Sequence, residues 1–278
     1  MLVRERSSGE EATSNNGSQR FHDLAEHELA QEFDRWAADG RGEGLEANHL
    51  QIARHTLELM QLKPRDHVLD LSCGSGWATC LLAKRVTAGK AVGADISGEM
   101  IRLARERSQR IHNVEFVQCT AEALPHAAGT FDKILCVEAF YYYPDQRRVL
   151  EEICRVLVPS GRVFILIDFY RDNPCWRDWI EHLKVKVHLR SAAEYTALLK
   201  DCGLVHVEAQ HIAERHPRSN GYLGAARKVV QLFHCHPKMW IPNVTKQVRR
   251  SLEWRKCRRI GALLLIGSRP GSVEPGKA

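Results

Sequence analysis

The amino-acid sequence predicts an α/β protein built on a doubly wound, seven-stranded, mostly parallel sheet with a helical cap. Short apolar runs recur along the chain, each too short and too β-branched for a helix, and amphipathic segments separate them. Continuous apolar strands alternating with helices are typical of a parallel sheet covered on both faces. The first five runs are HVLDLS (67–72), AVGADI (91–96), VEFVQC (114–119), KILCVE (133–138) and VFILID (163–168).

Helices are expected before and between these runs. Apolar residues recur at helical spacing from Phe21, and a second helix is expected from about Leu45 to Met60. The clearest amphipathic segment is PDQRRVLEEICRVLVPSG (144–161), in which one apolar stripe ends near Pro159 and Gly161. These signals place a helix on each side of the sheet.

The alternation of strand and helix loosens after the fifth run. The later elements expected are a helix holding Trp176, Trp179 and Ile180, a helix from about Ser191 to Cys202, a strand from Leu204 and a last strand over Ala262–Ser268. The predicted organisation is a disordered tail (1–20), cap helices (21–61), a cofactor-binding core (62–212), a basic helical insertion (213–260), the last core strand (261–270) and a tail (271–278).

Composition indicates where such a protein works. The nine cysteines are scattered without CxxC spacing, which favours a reducing compartment, and no run approaches the roughly 20 apolar residues of a membrane span. A cytoplasmic location is therefore expected.

The net charge is +6, but residues 217–278 hold 13 Lys or Arg against two acids, giving +11 there and −5 elsewhere. That asymmetry suggests either an anionic partner, such as a membrane surface or nucleic acid, or a solvated basic helix face.

The turn after the first strand, SCGSGW (72–77), carries the main chemical signal. Gly74 and Gly76 allow close backbone approach to a ligand, and Asp95, 19 residues after Gly76, ends the second strand where this fold presents a ribose-binding acid. A dinucleotide fingerprint has Gly or Ala at the sixth position, where this chain has Thr79. Asp70, beside the glycines, would also repel a pyrophosphate. A nucleoside without phosphates is therefore favoured over a dinucleotide.

Four ordered segments carry a family resemblance: VLDLSCGSG, AVGADIS, CTAEALPHAAGTFDKILC and LEEICRVLVPSGRVFI. They resemble the successive motifs of class I S-adenosylmethionine-dependent methyltransferases, over about Leu62 to Phe169. The nearest branch is the small-molecule one, methyltransferase type 11, which includes ubiquinone and menaquinone biosynthesis methyltransferases. The resemblance implies a Rossmann-like methyltransferase fold, S-adenosylmethionine as cofactor, and direct transfer of its methyl group to a small organic acceptor.

The resemblance also implies roles for individual residues. Asp70 and the backbone from Ser72 through Cys73 and Gly74 to Gly76 would hold the methionine end, and Asp95 the ribose. Ile96, Thr120, Ala121 and Glu122 would surround the adenine, and Val137 to Phe140 would line the mouth beside the methyl group. The chain departs from the family at Ser72, where glycine is usual, and at Thr120, where an aspartate often faces the adenine amino group. A serine at position 72 is expected to adopt a less extreme backbone angle than glycine would.

Acceptor-side residues are expected after the fourth and fifth strands. The run Tyr141, Tyr142, Tyr143 predicts one tyrosine in the site and two in packing, with Tyr141 as the candidate. Asp168, at the end of VFILID, is the candidate general base. The sequence FHCHP (233–237) lacks a recognised four-ligand pattern, so no metal is expected.

Two other functions remain compatible with the sequence. One is an RNA or protein methyltransferase that docks through the basic region from Arg218 to Arg259, although nucleic acid is the less favoured partner. The other is a non-catalytic S-adenosylmethionine binder, which the departures at Ser72 and Thr120 make conceivable. The sequence does not indicate the acceptor atom or the oligomeric state.

Overall fold

The computed structural model describes residues 10–173, 183–212 and 261–271, and these form one sheet of seven strands in the order β3-β2-β1-β4-β5-β7-β6. The strands are β1 (His67–Leu71), β2 (Lys90–Asp95), β3 (Val114–Gln118), β4 (Phe131–Val137), β5 (Leu157–Ile167), β6 (Val205–Ile212) and β7 (Ala262–Ser268). The first five are parallel, and β7 runs antiparallel between β5 and β6. The predicted seven-stranded, mostly parallel sheet is confirmed.

Helices flank this sheet in sequence order. They are α1 (Glu10–Ala38), α2 (Arg41–Leu59), α3 (Trp77–Ala83), α4 (Gly98–Arg107), α5 (Gln146–Val156) and α6 (Ala192–Asp201), with a short 3₁₀ turn at Phe140–Tyr142. Capping side chains explain where three of these helices begin. Ser97 accepts the amide of Met100 at α4, Asp145 caps α5, and Ser191 forms a reciprocal capping box at α6.

Two boundaries differ from those expected. Helix α1 begins at Glu10, so residues 10–20, predicted to belong to a disordered tail, are helical. No proline interrupts residues 10–38, and once a helix has nucleated each further residue adds a backbone hydrogen bond. Helix α5 ends at Val156, ahead of Pro159, because β5 already begins at Leu157 and shifts register opposite Phe131. A proline fits a strand at such an irregularity.

The central strands are buried on both faces, which explains why their sequences are continuously apolar. Leu69 of β1, Ile134 and Leu135 of β4, and Val163 and Phe164 of β5 are all fully buried. Strand order reverses between β1 and β4, and in this architecture ligands bind outside the carboxyl ends of the strands at that point. The fold therefore directs attention to the residues that follow β1, β2, β4 and β5.

Several sequence predictions lie outside the described residues. They include the helix with Trp176, Trp179 and Ile180, the basic insertion (213–260), and residues 1–9 and 272–278 of the two tails. The division into domains stays a prediction. Within the described ranges, none of the helices has the length and apolarity to cross a membrane, and the six cysteines present are free thiols.

Candidate functional site

Asp70 is the residue before the last of β1, at the switch point, and is almost completely buried. Its Oδ2 accepts a hydrogen bond of 2.6 Å from Thr79 Oγ1. Burial raises the pKa of Asp70 to about 7, and the nearby charge of Asp95 adds to the shift, while hydrogen bonds from Thr79 oppose it. Thr79, at the position where a dinucleotide fingerprint has a small residue, therefore partners a buried carboxyl group.

Asp95 joins the turns that follow β1 and β2. Its Oδ2 accepts from the Gly74 amide at 2.8 Å, and its Oδ1 accepts from the Ser97 amide at 2.9 Å. Burial raises the pKa of Asp95 to about 6, although these amide hydrogen bonds favour the ionised form. An ionised carboxylate has about four acceptor positions. Asp95 thus keeps acceptor capacity for a ligand diol while holding both turns.

Ser72 differs from the sequence expectation. Its φ is +58°, so it adopts the left-handed conformation that glycine would have, and the expected less extreme angle was wrong. A compensating contact explains how a serine is accommodated there. The hydroxyl of Ser72 lies 2.7 Å from the phenolic oxygen of Tyr143, which anchors the turn to the segment after β4.

The two glycines have different roles. A Cβ on Gly76 would lie 2.8 Å from Ala104 Cβ and 2.9 Å from the Phe116 ring, so this glycine allows helix and strand packing rather than ligand approach. A Cβ on Gly74 would meet only Met100 Sδ, at 4.0 Å. The predicted close approach of backbone to ligand therefore fits Gly74 alone.

The backbone amides of the turn are largely engaged inside the protein. Cys73 donates to the Ala94 carbonyl at 3.0 Å, Gly74 donates to Asp95, and Gly76 donates to the Cys73 carbonyl at 3.0 Å. These three amides hold the turn in shape. Contact between the turn and the methionine end of a cofactor stays a prediction.

The residues predicted to surround the adenine follow β2 and β3. Ala121 and Glu122 are buried, and Ile96 is partly buried at the end of β2. Glu122 accepts the Asp145 amide at 3.1 Å, so it also supports the start of α5. The Thr120 hydroxyl accepts from the Glu122 amide at 3.2 Å.

Helix α1 covers this side of the crevice. Asp34 Oδ1 accepts from the Ser97 hydroxyl at 2.5 Å, and the Glu26 carboxylate hydrogen-bonds the Thr120 hydroxyl. The Phe33 ring meets Tyr142 edge to face at a centroid distance of 5.2 Å. Sequence reasoning assigned α1 to the cap but missed Glu26 and Asp34, because contacts across 94 and 63 residues leave no local signal.

The three tyrosines are all buried. The centroid of the Tyr141 ring lies 4.6 Å from that of Tyr142 and 5.1 Å from that of Phe169. The Tyr141 hydroxyl donates to Glu138 Oε2 at 3.0 Å. Tyr143 bonds Ser72. The expectation of one tyrosine in the site and two in packing is not decided by burial, since all three combine packing with a polar contact or a site neighbour.

Glu138 is a candidate site residue that the sequence analysis did not single out within the segment Val137 to Phe140. It directly follows β4, has a φ of +54°, and is 9% exposed. A left-handed conformation at a residue other than glycine costs about 1–3 kcal/mol. Its Oε1 has no hydrogen-bond partner among the described residues. Burial, reinforced by the charge of Asp168, raises the pKa of Glu138 well above its usual value.

Asp168, the predicted base, follows β5 and is only partly buried. Asp168 lies beside Glu138: its backbone amide hydrogen-bonds the Glu138 carboxyl group, and the Glu138 amide donates to the Leu166 carbonyl of β5 at 2.8 Å. Val137 is partly buried at the end of β4. Within residues 10–173, 183–212 and 261–271 there is no cluster of three metal-ligating side chains, and the sequence 233–237 lies outside those ranges.

Comparison with known proteins agrees with this geometry. A model of the methyltransferase domain matches residues 69–165. The ubiquinone/menaquinone biosynthesis C-methyltransferase of Hydrogenovibrio crunogenus is 38% identical over 122 residues, which is 42% of this chain and 48% of that protein. The chain spans about half the length of the curated relatives it matches.

Solved structures extend the likeness to most of the chain. A protein designated a methyltransferase, crystallised in complex with the Haloferax volcanii Trm112 methyltransferase activator, is 32% identical, with a TM-score of 0.70, over 86% of this chain and 98% of that one. Phosphoethanolamine N-methyltransferase 2 of Haemonchus contortus, in complex with S-adenosyl-L-methionine, shares the fold at 16% identity and a TM-score of 0.56, over 77% of this chain and 51% of that one. The chain belongs to the family of S-adenosylmethionine-dependent methyltransferases.

Proposed function

We propose that this chain binds S-adenosylmethionine across the carboxyl ends of β1 and β2 and transfers its methyl group to a small organic acceptor by direct in-line displacement. One observation carries the proposal: two buried carboxyl groups, Asp70 and Asp95, are held beside the same left-handed turn. Their combined charge suits a ligand that has a ribose diol, a sulfonium and an ammonium but no phosphate.

Asp95 would hold the ribose of S-adenosylmethionine, and Asp70 would lie at its methionine end. Asp95 would accept from the ribose hydroxyls with the acceptor positions that the Gly74 and Ser97 amides leave, at about 1.5–3 kcal/mol for each charge-assisted bond. Asp70 and the turn would face the methionine end. Ile96, Ala121 and Glu122 would surround the purine.

Glu26 would complete the adenine end. The family position that often carries an aspartate is Thr120 here, and the structure brings the carboxylate of Glu26 to the Thr120 hydroxyl. A carboxylate in that place can accept from the adenine amino group. Helix α1 would then recognise the base as well as cover it.

The chain's own task in the transfer is alignment. The sulfonium methyl is already activated, so donor sulfur, methyl carbon and acceptor atom need only be held in line with near-attack contacts of about 3–3.5 Å. The buried rings of Tyr141, Tyr142 and Phe169 would form an aromatic wall that attracts the sulfonium by about 0.5–2 kcal/mol.

A small acceptor is favoured over a macromolecule. Helix α1 lies over the crevice through Asp34 and Phe33, which leaves less room for a folded RNA or protein than for a small organic molecule. A relative that matches 42% of the chain is named for ubiquinone and menaquinone biosynthesis.

The free thiols favour a cytoplasmic location, and the basic residues between 217 and 278 would allow peripheral contact with a membrane.

A protein partner is a second proposal, which one observation favours. The relative that aligns over 98% of its length was crystallised with a methyltransferase activator. We infer that this chain associates with an activator of the same kind. Co-expression with such a protein and size-exclusion chromatography would show a one-to-one complex, whereas separate elution at micromolar concentration would refute the association.

Isothermal titration with S-adenosylhomocysteine tests the main proposal. We expect binding by the wild type and at least tenfold weaker binding by Asp95→Ala, with no change for Asp201→Ala, an exposed aspartate that ends α6. A methyl-transfer screen of phenols, quinols and amines then separates an enzyme from a non-catalytic binder. Binding of NADH but not S-adenosylhomocysteine would replace the proposal with a dehydrogenase.

A further inference from the structure

The Glu138 side chain is not accounted for by the fold or by cofactor binding. It is nine-tenths buried, its carboxyl group accepts from the Tyr141 hydroxyl at Oε2 and also from the Asp168 backbone amide, and Oε1 has no hydrogen-bond partner that satisfies normal geometry among the described residues. A buried polar atom in this condition is costly, so native proteins keep few of them without a functional reason. The open oxygen therefore points to a ligand group that donates to it.

The position of Glu138 matches the place where an acceptor must lie. It follows β4, which pairs with β1 on one side and β5 on the other, so it stands between the Asp70 turn and Asp168. The neighbouring Tyr143 reaches Ser72 of that turn. The open oxygen is thus at the same edge of the sheet as the cofactor residues.

The surroundings of Glu138 define the chemistry of the ligand. The Tyr141 ring packs at a tilt against Tyr142 and Phe169, and this aromatic surface suits a small, flat molecule. The titratable groups that act on Glu138 from the described elements are Asp168 after β5, Tyr141 and Tyr142 of the 3₁₀ turn, and Cys136 of β4. None of these groups is a cation. Burial and the anionic neighbours raise the pKa of Glu138, so its carboxylate, once ionised, has a high affinity for a proton. Such a group suits a ligand that gives up a proton.

We propose that Glu138 is the general base of the methyl transfer, and that the acceptor is a small flat molecule whose attacking oxygen carries a phenol-like hydroxyl proton. This proposal rests on the proposed function. The acceptor O–H bond breaks and its proton moves to Glu138 Oε1. The freed oxygen pair forms a bond to the methyl carbon, and the carbon–sulfur bond breaks with its electron pair moving to sulfur, which leaves neutral S-adenosylhomocysteine.

Glu138 is the better placed of the two carboxyl groups at this edge. Asp168 is only partly buried and lies one strand further from β1, whereas Glu138 is enclosed and linked to Tyr141. Asp168 keeps a positioning role, since its charge acts on Glu138. Replacing Asp168 by asparagine should therefore alter the rate less than replacing Glu138 by glutamine.

Two probes of different acidity test the proposal: catechol, which keeps its protons at neutral pH, and 4-nitrocatechol, which is largely ionised there. Initial rates are measured with S-adenosylmethionine for wild type, Glu138→Gln and Glu151→Gln, a matched change of an exposed glutamate on α5. We expect Glu138→Gln to reduce kcat for catechol by about 10²–10⁴-fold and for 4-nitrocatechol by less than tenfold, because the second probe has already lost its proton. Glu151→Gln should match the wild type.

A merely structural role would give a different pattern. The affinity for S-adenosylhomocysteine should stay within twofold in Glu138→Gln, and the wild-type fall of kcat/KM at acid pH should disappear in that variant. Equal losses on both probes, or no loss on catechol, would overturn the assignment. Failure of the wild type to bind S-adenosylhomocysteine would instead refute the proposed function.

A binding measurement decides the remaining case, in which the cofactor product binds but neither probe is methylated. The visible absorbance of ionised 4-nitrocatechol reports its binding to the complex with S-adenosylhomocysteine. At a pH high enough to ionise Glu138, we expect Glu138→Gln to bind the ionised probe about tenfold more tightly than the wild type, because the carboxylate that repels it is gone. Absence of binding, or equal binding by both proteins, would overturn the proposal.

Discussion

The phenolic oxygen of Tyr143 lies 2.7 Å from the hydroxyl oxygen of Ser72, and this contact joins the segment after β4 to the turn after β1. Tyr143 Oη also lies 3.6 Å from Cys136 Sγ, within the buried core. Two parts of the chain that are 71 residues apart are thereby held at one edge of the sheet. The left-handed Ser72 is stabilised by a partner that only the folded chain supplies.

Replacing Tyr143 by phenylalanine tests this contact. The variant leaves the Ser72 hydroxyl without its buried partner, so we expect a loss of about 1–3 kcal/mol in the free energy of unfolding and weaker binding of S-adenosylhomocysteine. Urea denaturation and calorimetric titration would measure both. Tyr195→Phe is the control, since its hydroxyl contacts the His188 carbonyl at 3.3 Å, away from the turn. Equal effects on ligand affinity in the two variants would contradict a specific role for Tyr143.

Replacing Ser72 by glycine should be nearly neutral. The change removes a left-handed serine, a gain of about 1–2 kcal/mol, and takes the Ser72 partner from the buried Tyr143 hydroxyl, a cost of about 1–3 kcal/mol. We therefore expect the free energy of unfolding, measured in urea, to stay within about 1 kcal/mol of the wild type. A larger loss would show that the hydroxyl contact outweighs the backbone strain.

Gly76→Ala should be strongly destabilising. Its Cβ would lie within 3 Å of both Ala104 and Phe116, and its φ of +75° disfavours any side chain. We expect a loss of at least about 2 kcal/mol from overpacking and strain, seen as a lower melting temperature. Gly129→Ala is the matched control, because φ is +68° there but nothing lies within 4 Å of the added carbon. If both variants lost the same stability, the close contacts at Gly76 would be irrelevant.

Replacing Glu26 by glutamine tests recognition of the adenine by α1. We expect the affinity for S-adenosylhomocysteine to fall about five- to tenfold. The ratio of its affinity to that of the inosine analogue should also fall, because the analogue lacks the amino group that Glu26 would accept from. Glu28→Gln, an exposed change on the same helix, is the control and should bind as the wild type does. An unchanged preference in Glu26→Gln would remove Glu26 from the adenine site.

Binding of the cofactor product should depend on pH. The pKa of Asp70 is raised to about 7 and that of Asp95 to about 6, so both carboxyl groups are largely protonated at pH 5.5 and ionised at pH 8. Because the ionised forms accept from the ligand, the affinity for S-adenosylhomocysteine should rise about 10- to 100-fold across that range. Titrations at several pH values would measure it, and Asp95→Asn should flatten the lower part of the curve.

The same pKa shifts make an opposite prediction for the free protein. A carboxyl group whose pKa is higher when folded holds its proton more tightly in the folded state, so stability falls as pH rises from about 4 to 7. Chemical denaturation without ligand should show this trend, and saturating S-adenosylhomocysteine should reverse it. A ligand-free stability that rises through that range would contradict the shifts at Asp70 and Asp95.

Prediction from sequence succeeded where local pattern determines structure. The strand Ala262–Ser268 was predicted with the bounds observed, and the helix expected from about Ser191 to Cys202 is found at Ala192–Asp201. Prediction failed where a distant partner decides the outcome. Ser72 is left-handed although serine disfavours that conformation, and the hydroxyl that it contacts belongs to Tyr143, 71 residues away.

The sequence alone determined the layered sheet and the position of Asp70 and Asp95 at one edge of it. Apolar periodicity, glycine spacing and the ends of strands are local properties, and together they imply that edge. Only the tertiary structure decided that Glu26 reaches Thr120 and that Glu138 keeps an open oxygen within the core. The physical reason is that hydrogen bonding and burial depend on side chains distant in sequence, which packing brings together and local pattern does not specify.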